Sequence, residues 1–267
     1  MDRREAMLRE LNLYPQWVRR TQVVPVLAEA HVPEVAQAVI HQFAVAAVDP
    51  LANKAEVRLA IADDKISTYV DSSGGAVISA LDKASWPELK QQVRGCTACR
   101  LRAGCTQTVF GVGDEKADWL FVGEGPGADE DALGEPFVGQ AGKLLDNMLA
   151  AIKLKRGNNV YITNVVKCRP PSNRAPAADE IAQCLPYLQR QIGLIQPKLI
   201  VALGKTAATA LLGNDATITS LRGTLHDCNG IPLIVTYHPA YLLRSPSEKA
   251  KAWQDLRLAV ATLAVKV

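Results

Sequence analysis

The chain has no run of 18 apolar residues, so no membrane-spanning helix is expected. Its first residues, Met1-Asp2-Arg3-Arg4-Glu5, lack the long apolar run of a secretory leader. A strong charge of either sign is also missing. The formal net charge is +3, which neither demands nor excludes a nucleic-acid partner. These absences point to a cytoplasmic protein, and there six cysteines suggest metal or redox chemistry rather than disulfides. What is present suffices for a large core. The 267 residues are 48% hydrophobic, enough for one good-sized domain and a smaller one.

The densest signal lies between Trp119 and Gly142. An apolar run, Trp119-Leu120-Phe121-Val122, reads as a strand and meets Gly123-Glu124-Gly125-Pro126-Gly127. Three glycines and a proline in five residues can continue neither strand nor helix, so a tight turn is expected, with backbone close to a ligand. An acidic run follows (Asp129, Glu130, Asp131), and then Pro136-Phe137-Val138-Gly139 opens a helix. A carboxylate at the strand exit, with an aromatic ring on the next turn, suits a flat, polar-edged group such as a nucleobase.

Three segments are expected. Residues 1–24 are basic and amphipathic, with Met7, Leu8, Leu11 and Leu13 before Trp17-Val18-Arg19-Arg20, and read as a surface helix. They resemble the N-terminal peptide of the psi subunit of the bacterial DNA polymerase III clamp loader, which implies docking on that assembly. Residues 25–82 form a small α/β subdomain or an extension, ending after the turn signal Asp71-Ser72-Ser73-Gly74-Gly75. Residues 83–267 form the main domain. Trp86-Pro87 starts a helix through Val93; strands follow at 118–123, 159–165, 198–203 and 231–237. Helices fall near 139–152, 177–193, 205–212 and 247–263. This alternation predicts a parallel sheet with helices on both faces, and ligands in such sheets bind at the carboxyl ends of strands. Glu124, Asn164, Gly204 and His238 all fall at those ends.

Cys96-Thr97-Ala98-Cys99 is a C-x2-C pair, and Cys168 and Cys184 form a second pair. Four thiolates from two distant pairs suit a four-cysteine zinc site or a [4Fe–4S] cluster, and spacing does not choose between them. Cys228 reads as a small buried hydrophobe, whereas Cys105 stands close enough to Cys99 to compete as a ligand. Gly204-Lys205-Thr206 resembles a phosphate-binding loop, but Leu199 stands where that motif needs a glycine.

From about Cys96 to about Trp253 the chain resembles the family 4, iron–sulfur uracil-DNA glycosylases. The likeness rests on the C-x2-C pair, Thr106-Gln107-Thr108-Val109-Phe110-Gly111, the glycine turn and Glu135-Pro136-Phe137-Val138-Gly139. It continues in Thr163-Asn164-Val165-Val166-Lys167-Cys168-Arg169-Pro170-Pro171 and His238-Pro239-Ala240-Tyr241-Leu242-Leu243-Arg244. The resemblance implies a three-layer α/β/α sandwich around a four-stranded parallel sheet. It further implies a monomer with a [4Fe–4S] cluster on Cys96, Cys99, Cys168 and Cys184, acting in base excision repair.

It also implies a set of roles. Uracil leaves the base stack for a pocket at the strand ends, where Gly125 and Gly127 border it. Phe137 stacks on the base, and Asn164 matches the O4 and N3–H edge, which cytosine reverses; such sites reject the wrong base by on the order of 10⁴-fold. His238 donates to O2 as charge develops there. Family 1 relatives carry an aspartate next to the turn where this chain has Gly125, so either Glu124 and Glu130 orient water, the favoured reading, or the reaction is largely dissociative with little base help. DNA contacts are expected from Lys167, Arg169, Arg174, Arg222 and Arg244, with Tyr241 and Leu242 as a wedge into the gap left by the flipped base. Two alternatives are a covalent, non-turnover uracil-DNA-binding relative and a zinc-stapled DNA-binding module. The first uses a basic, histidine-bearing insertion after Pro-Phe-Val-Gly, which this sequence lacks.

Overall fold

The computed structural model describes Leu81 and residues 83–265. The clamp-loader peptide and the 25–80 segment therefore lie outside the described residues. Each central strand is a short, largely apolar stretch that is almost wholly buried, the composition of a parallel sheet covered by helices. These strands are β2 (Trp119–Gly123), β3 (Val160–Asn164), β4 (Leu199–Leu203) and β6 (Ile231–Thr236). They pair in parallel in the order β3-β2-β4-β6.

The sheet is larger than the four parallel strands expected. Two antiparallel edge strands, β1 (Val112–Gly113) beside β3 and β5 (Leu225–Cys228) beside β6, bring it to six. Neither gives a strand signal in the sequence. β1 has two residues, and β5 is Leu-His-Asp-Cys, whose polar middle reads as a loop.

Side chains alternate between two cores. Leu120, Val122, Ile200, Ala202, Leu233 and Val235 pack with α1 (Trp86–Gly95), α5 (Ala178–Ile195) and α6 (Lys205–Leu212). Trp119, Phe121, Ile162, Leu199, Val201 and Ile234 face α4 (Gln140–Ala151) and α9 (Lys249–Val265). The short helices α2 (Leu101–Gly104), α3 (Ala128–Leu133), α7 (Ile218–Leu221) and α8 (Pro239–Arg244) sit within connecting loops. No described helix is long and apolar enough to cross a membrane.

α9 is pinned to β6 by a buried carboxylate. Asp255 accepts from Thr236 Oγ1 at 2.8 Å and from Arg222 Nη2 and Nε at 2.9 and 3.1 Å. Arg222 also stands 5.0 Å from the Tyr237 ring and is only 11% exposed. It is therefore a strut between elements, not the DNA contact its charge suggests. Arg222→Ala would strand a buried carboxylate, and chemical denaturation is expected to show a loss of about 3–5 kcal/mol. The salt dependence of DNA binding should stay unchanged.

Candidate active site and thiol cavity

After β2 the chain proceeds to β3 on one side; after β4 it proceeds to β6 on the other. Such a reversal opens a crevice at the strand ends. Here the crevice holds a cavity of about 450 Å³, lined by Glu124, Gly125, Gly127, Phe137, Asn164, Gly204 and His238 among others. The side chains that the sequence places at separate strand ends thus share one chamber.

Just behind this lining stands Gly123, the last residue of β2. A Cβ there would lie 2.4 Å from Asn164 Oδ1 and 2.5 Å from Phe137 Cζ, so only glycine lets amide and ring converge over the strand end. Asn164 is 1% exposed, and its Oδ1 has no hydrogen-bond partner. A buried, unpaired acceptor in a cavity wall is poised for a ligand donor. Phe137 packs partly in the core, with its ring 5.5 Å from that of His238.

His238 caps α8. Its Nδ1 accepts from the Ala240 N–H at 3.1 Å, so the neutral ring carries its proton on Nε2. Burial, helped by the charge of Arg244 and opposed by Glu130, brings its pKa down to about 4. At neutral pH the ring is an uncharged donor. Gly204, at φ +96, lets the loop after β4 pass close, since a Cβ there would stand 3.1 Å from His238 Cβ. Thr206 Oγ1 then donates to the Glu124 carboxylate and fixes its orientation.

Glu130 lines the same cavity, with its carboxylate already engaged by backbone. Its Oε2 accepts from Gly127 N–H at 3.0 Å, and its Oε1 from Val138 and Gly139 N–H at 3.0 and 3.1 Å. With both oxygens engaged by backbone, Glu130 clamps the glycine turn to the Pro-Phe-Val-Gly loop instead of presenting a free carboxylate to water. The three-residue spacing from Gly127 is that of a helix capping box.

The family model for the uracil DNA glycosylase superfamily matches residues 110–257, which span this whole constellation. The chain belongs to that superfamily. It is 42% identical over 181 residues to a Type-4 uracil-DNA glycosylase of Archaeoglobus fulgidus, covering 65% of this chain and 90% of the relative. It is 46% identical over 165 residues to the Type-4 enzyme of Thermotoga maritima, covering 61% and 85%. Similarity to a Type-5 uracil-DNA glycosylase of Pyrobaculum aerophilum is lower, at 31% over 148 residues, covering 49% and 64%. These relatives place the chain on the Type-4 branch.

Around the pocket of this superfamily member, the cations divide. Arg244 and Arg174 line the cavity with Tyr241, although Arg174 shares its charge with Glu180 at 2.7 Å. Arg169 is half-buried and donates to Asn173 Oδ1 at 2.8 Å. Lys167 is not a DNA contact. It is 2% exposed, and its Nζ donates to Thr163 Oγ1, Asn164 O and Gln191 Oε1 at 2.6–2.7 Å, with burial lowering its pKa to about 7. The two residues expected to form a wedge differ in exposure. Leu242 is 1% exposed and packs with Tyr237 and Ala252, whereas Tyr241 and Leu243 on either side are 38% and 43% exposed.

Cys96, Cys99, Cys168 and Cys184 line one small, largely apolar cavity between the loop after α1, the loop after β3 and α5. The Lys167 N–H donates to Cys184 Sγ at 3.3 Å. Burial pushes the Cys168 thiol up, and the Cys184 thiol up to about 11. Among the described residues, no three His, Cys, Asp or Glu side chains form a group that could hold a metal ion as they stand. Cys105 lies outside that lining, with its Sγ 3.6 Å from Arg102 O. Cys228 is buried in the core.

Two contributors gave little sequence signal. Thr206 sits in the Gly-Lys-Thr stretch that resembles a phosphate loop; its position in the first turn of α6, after β4, is the clue. Gly123 reads only as one more turn glycine.

Proposed function

We propose that this protein excises uracil from DNA by cleaving its N-glycosidic bond, leaving an abasic site for base excision repair. The observation that carries this reading is the single chamber in which Phe137, Asn164, His238 and Glu124 converge, on a chain of this superfamily. The flipped base stacks on Phe137. Asn164 supplies an acceptor for N3–H and a donor for O4. The neutral His238 donates from Nε2 to O2 as negative charge collects on the departing uracil. Glu124, oriented by Thr206, faces the sugar, where it steadies developing positive charge and directs water. Glu130 acts through the loops it clamps. Arg244, Arg174 and Arg169 hold the phosphate backbone, and Tyr241 with Leu243 fills the vacated stack.

The thiol cavity suits an iron–sulfur cluster on Cys96, Cys99, Cys168 and Cys184. A lone tetrahedral ion needs all its thiolates about 2.3 Å from one point, whereas a four-iron cluster spreads them over its corners. All four thiols line one cavity, a shared wall that suits either arrangement, and the likeness to the iron–sulfur Type-4 enzymes favours the cluster over zinc. Once bound, the cluster staples the 96–105 loop to α5. Purified protein is expected to be brown with stoichiometric iron, and Cys184→Ser should lose both colour and thermal stability. A colourless protein with zinc would overturn the assignment.

The activity is tested by incubating the protein with uracil-containing single- and double-stranded DNA and cleaving abasic sites with alkali. Strand breaks at uracil are expected, with none at cytosine. An adduct surviving denaturing electrophoresis, without free uracil, would favour the covalent binding alternative.

A further inference from the structure

Arg156 lies outside the cavity lining, in the loop between α4 and β3, yet it grips the segment that aims the stacking ring. Phe137 stands at φ +57, a left-handed backbone conformation that a bulky residue rarely adopts. Such a conformation persists only where the surroundings over-determine it. Two features do so here. In α4, a Cβ on Gly142 would lie 1.8 Å from Phe137 O, so the carbonyl rests directly against the helix. From the other side comes the Arg156 guanidinium. Its Nη1 donates to Pro136 O at 2.7 Å and its Nη2 to Phe137 O at 2.8 Å, while Nε donates to Asp146 Oδ1 at 3.0 Å. Two successive carbonyls are held by one planar fork, which a lysine ammonium cannot reproduce. The side chain is only 22% exposed, so these bonds are shielded from competing water.

We infer that Arg156 is a positioning residue for uracil excision: it locks the left-handed turn at Phe137 and thereby sets the height and tilt of the ring above Gly123. This rests on the reading that Phe137 stacks on the base. Misplacement of a reacting group by about 1 Å can cost about 10²-fold in rate, so a released turn should be visible in catalysis.

The test is a double-mutant cycle on the full chain, with single-turnover excision from uracil-containing single-stranded DNA and inhibition by free uracil as the two readouts. Arg156→Ala is expected to slow excision about 10- to 100-fold and weaken inhibition by uracil. In a Phe137→Ala background it should cause no further loss, because the ring it positions is gone. Arg156→Lys should restore only part of the rate. Losses that multiply in the double variant, or wild-type excision by Arg156→Ala, would overturn the inference while leaving the stacking role intact. Wild-type excision by Phe137→Ala would remove the stacking reading and the inference with it. Should Arg156→Ala fail to fold, Asp146→Asn loosens the guanidinium from a half-exposed position. Unaltered inhibition by uracil in that variant would equally overturn the inference.

Discussion

Asn164→Leu should lower uracil excision by about 10²–10⁴-fold, because the N3–H and O4 of the base are left without partners at ~1–3 kcal/mol each. The side chain is buried and its Oδ1 meets no protein donor, so the wild-type chain carries an unmet demand that the base edge fulfils. Folding should not suffer, since an apolar residue of similar size replaces an amide whose acceptor is unpaired. Asn164→Asp distinguishes edge recognition from simple filling of space. A carboxylate cannot donate to O4, and the strand-end position next to Gly123 offers no room for rearrangement. Single-turnover rates with uracil in otherwise identical oligonucleotides measure both variants. Excision by Asn164→Leu within tenfold of wild type would remove the amide from base recognition.

His238→Ala should cost about 10²–10³ in the rate of bond cleavage, with a much smaller change in DNA affinity. The pH dependence gives a second measurement. Burial holds the folded pKa at about 4, below the ordinary 6.5, so the unfolded chain takes up the proton first. The stability contributed by the neutral ring is therefore complete above about pH 6.5. It declines as the pH falls towards 4. Activity should be level through neutrality and fall on approach to pH 4, because a proton on Nδ1 displaces the Ala240 N–H that holds the ring. In His238→Ala that acidic limb should vanish from the single-turnover profile. A limb centred near pH 6.5 would mean that the ring is solvated and outside the pocket.

The four parallel strands were legible because each is an apolar run bounded by glycine or polar residues, and the shared edge followed from their alternation with helices. The same edge carries Glu124, Asn164 and His238, and one chamber holds all three. What the sequence could not reveal was direction. Lys167 and Arg222 read as surface cations, yet each finds oxygen partners inside the fold, and nothing in a linear pattern records that a long side chain turns inward. Leu242 and Leu243 are neighbours on a short helix, where about 100° of rotation exchanges core for solvent. Glu130 stands at capping distance from Gly127, but within an acidic run whose composition equally suits chemistry. The two antiparallel strands were too short or too polar to register at all.

Those small border strands have a consequence for association between molecules. The parallel strands are buried, aliphatic-rich ribbons, the kind of surface that templates pairing with another chain when left open. None of them forms the border of the described sheet. One side ends in two residues flanked by Gly111 at φ +143, and the other in a strand carrying His226 and Asp227. A substitution that detached either border would uncover an aliphatic ribbon, and the first symptom should be concentration-dependent aggregation, ahead of any change at the pocket.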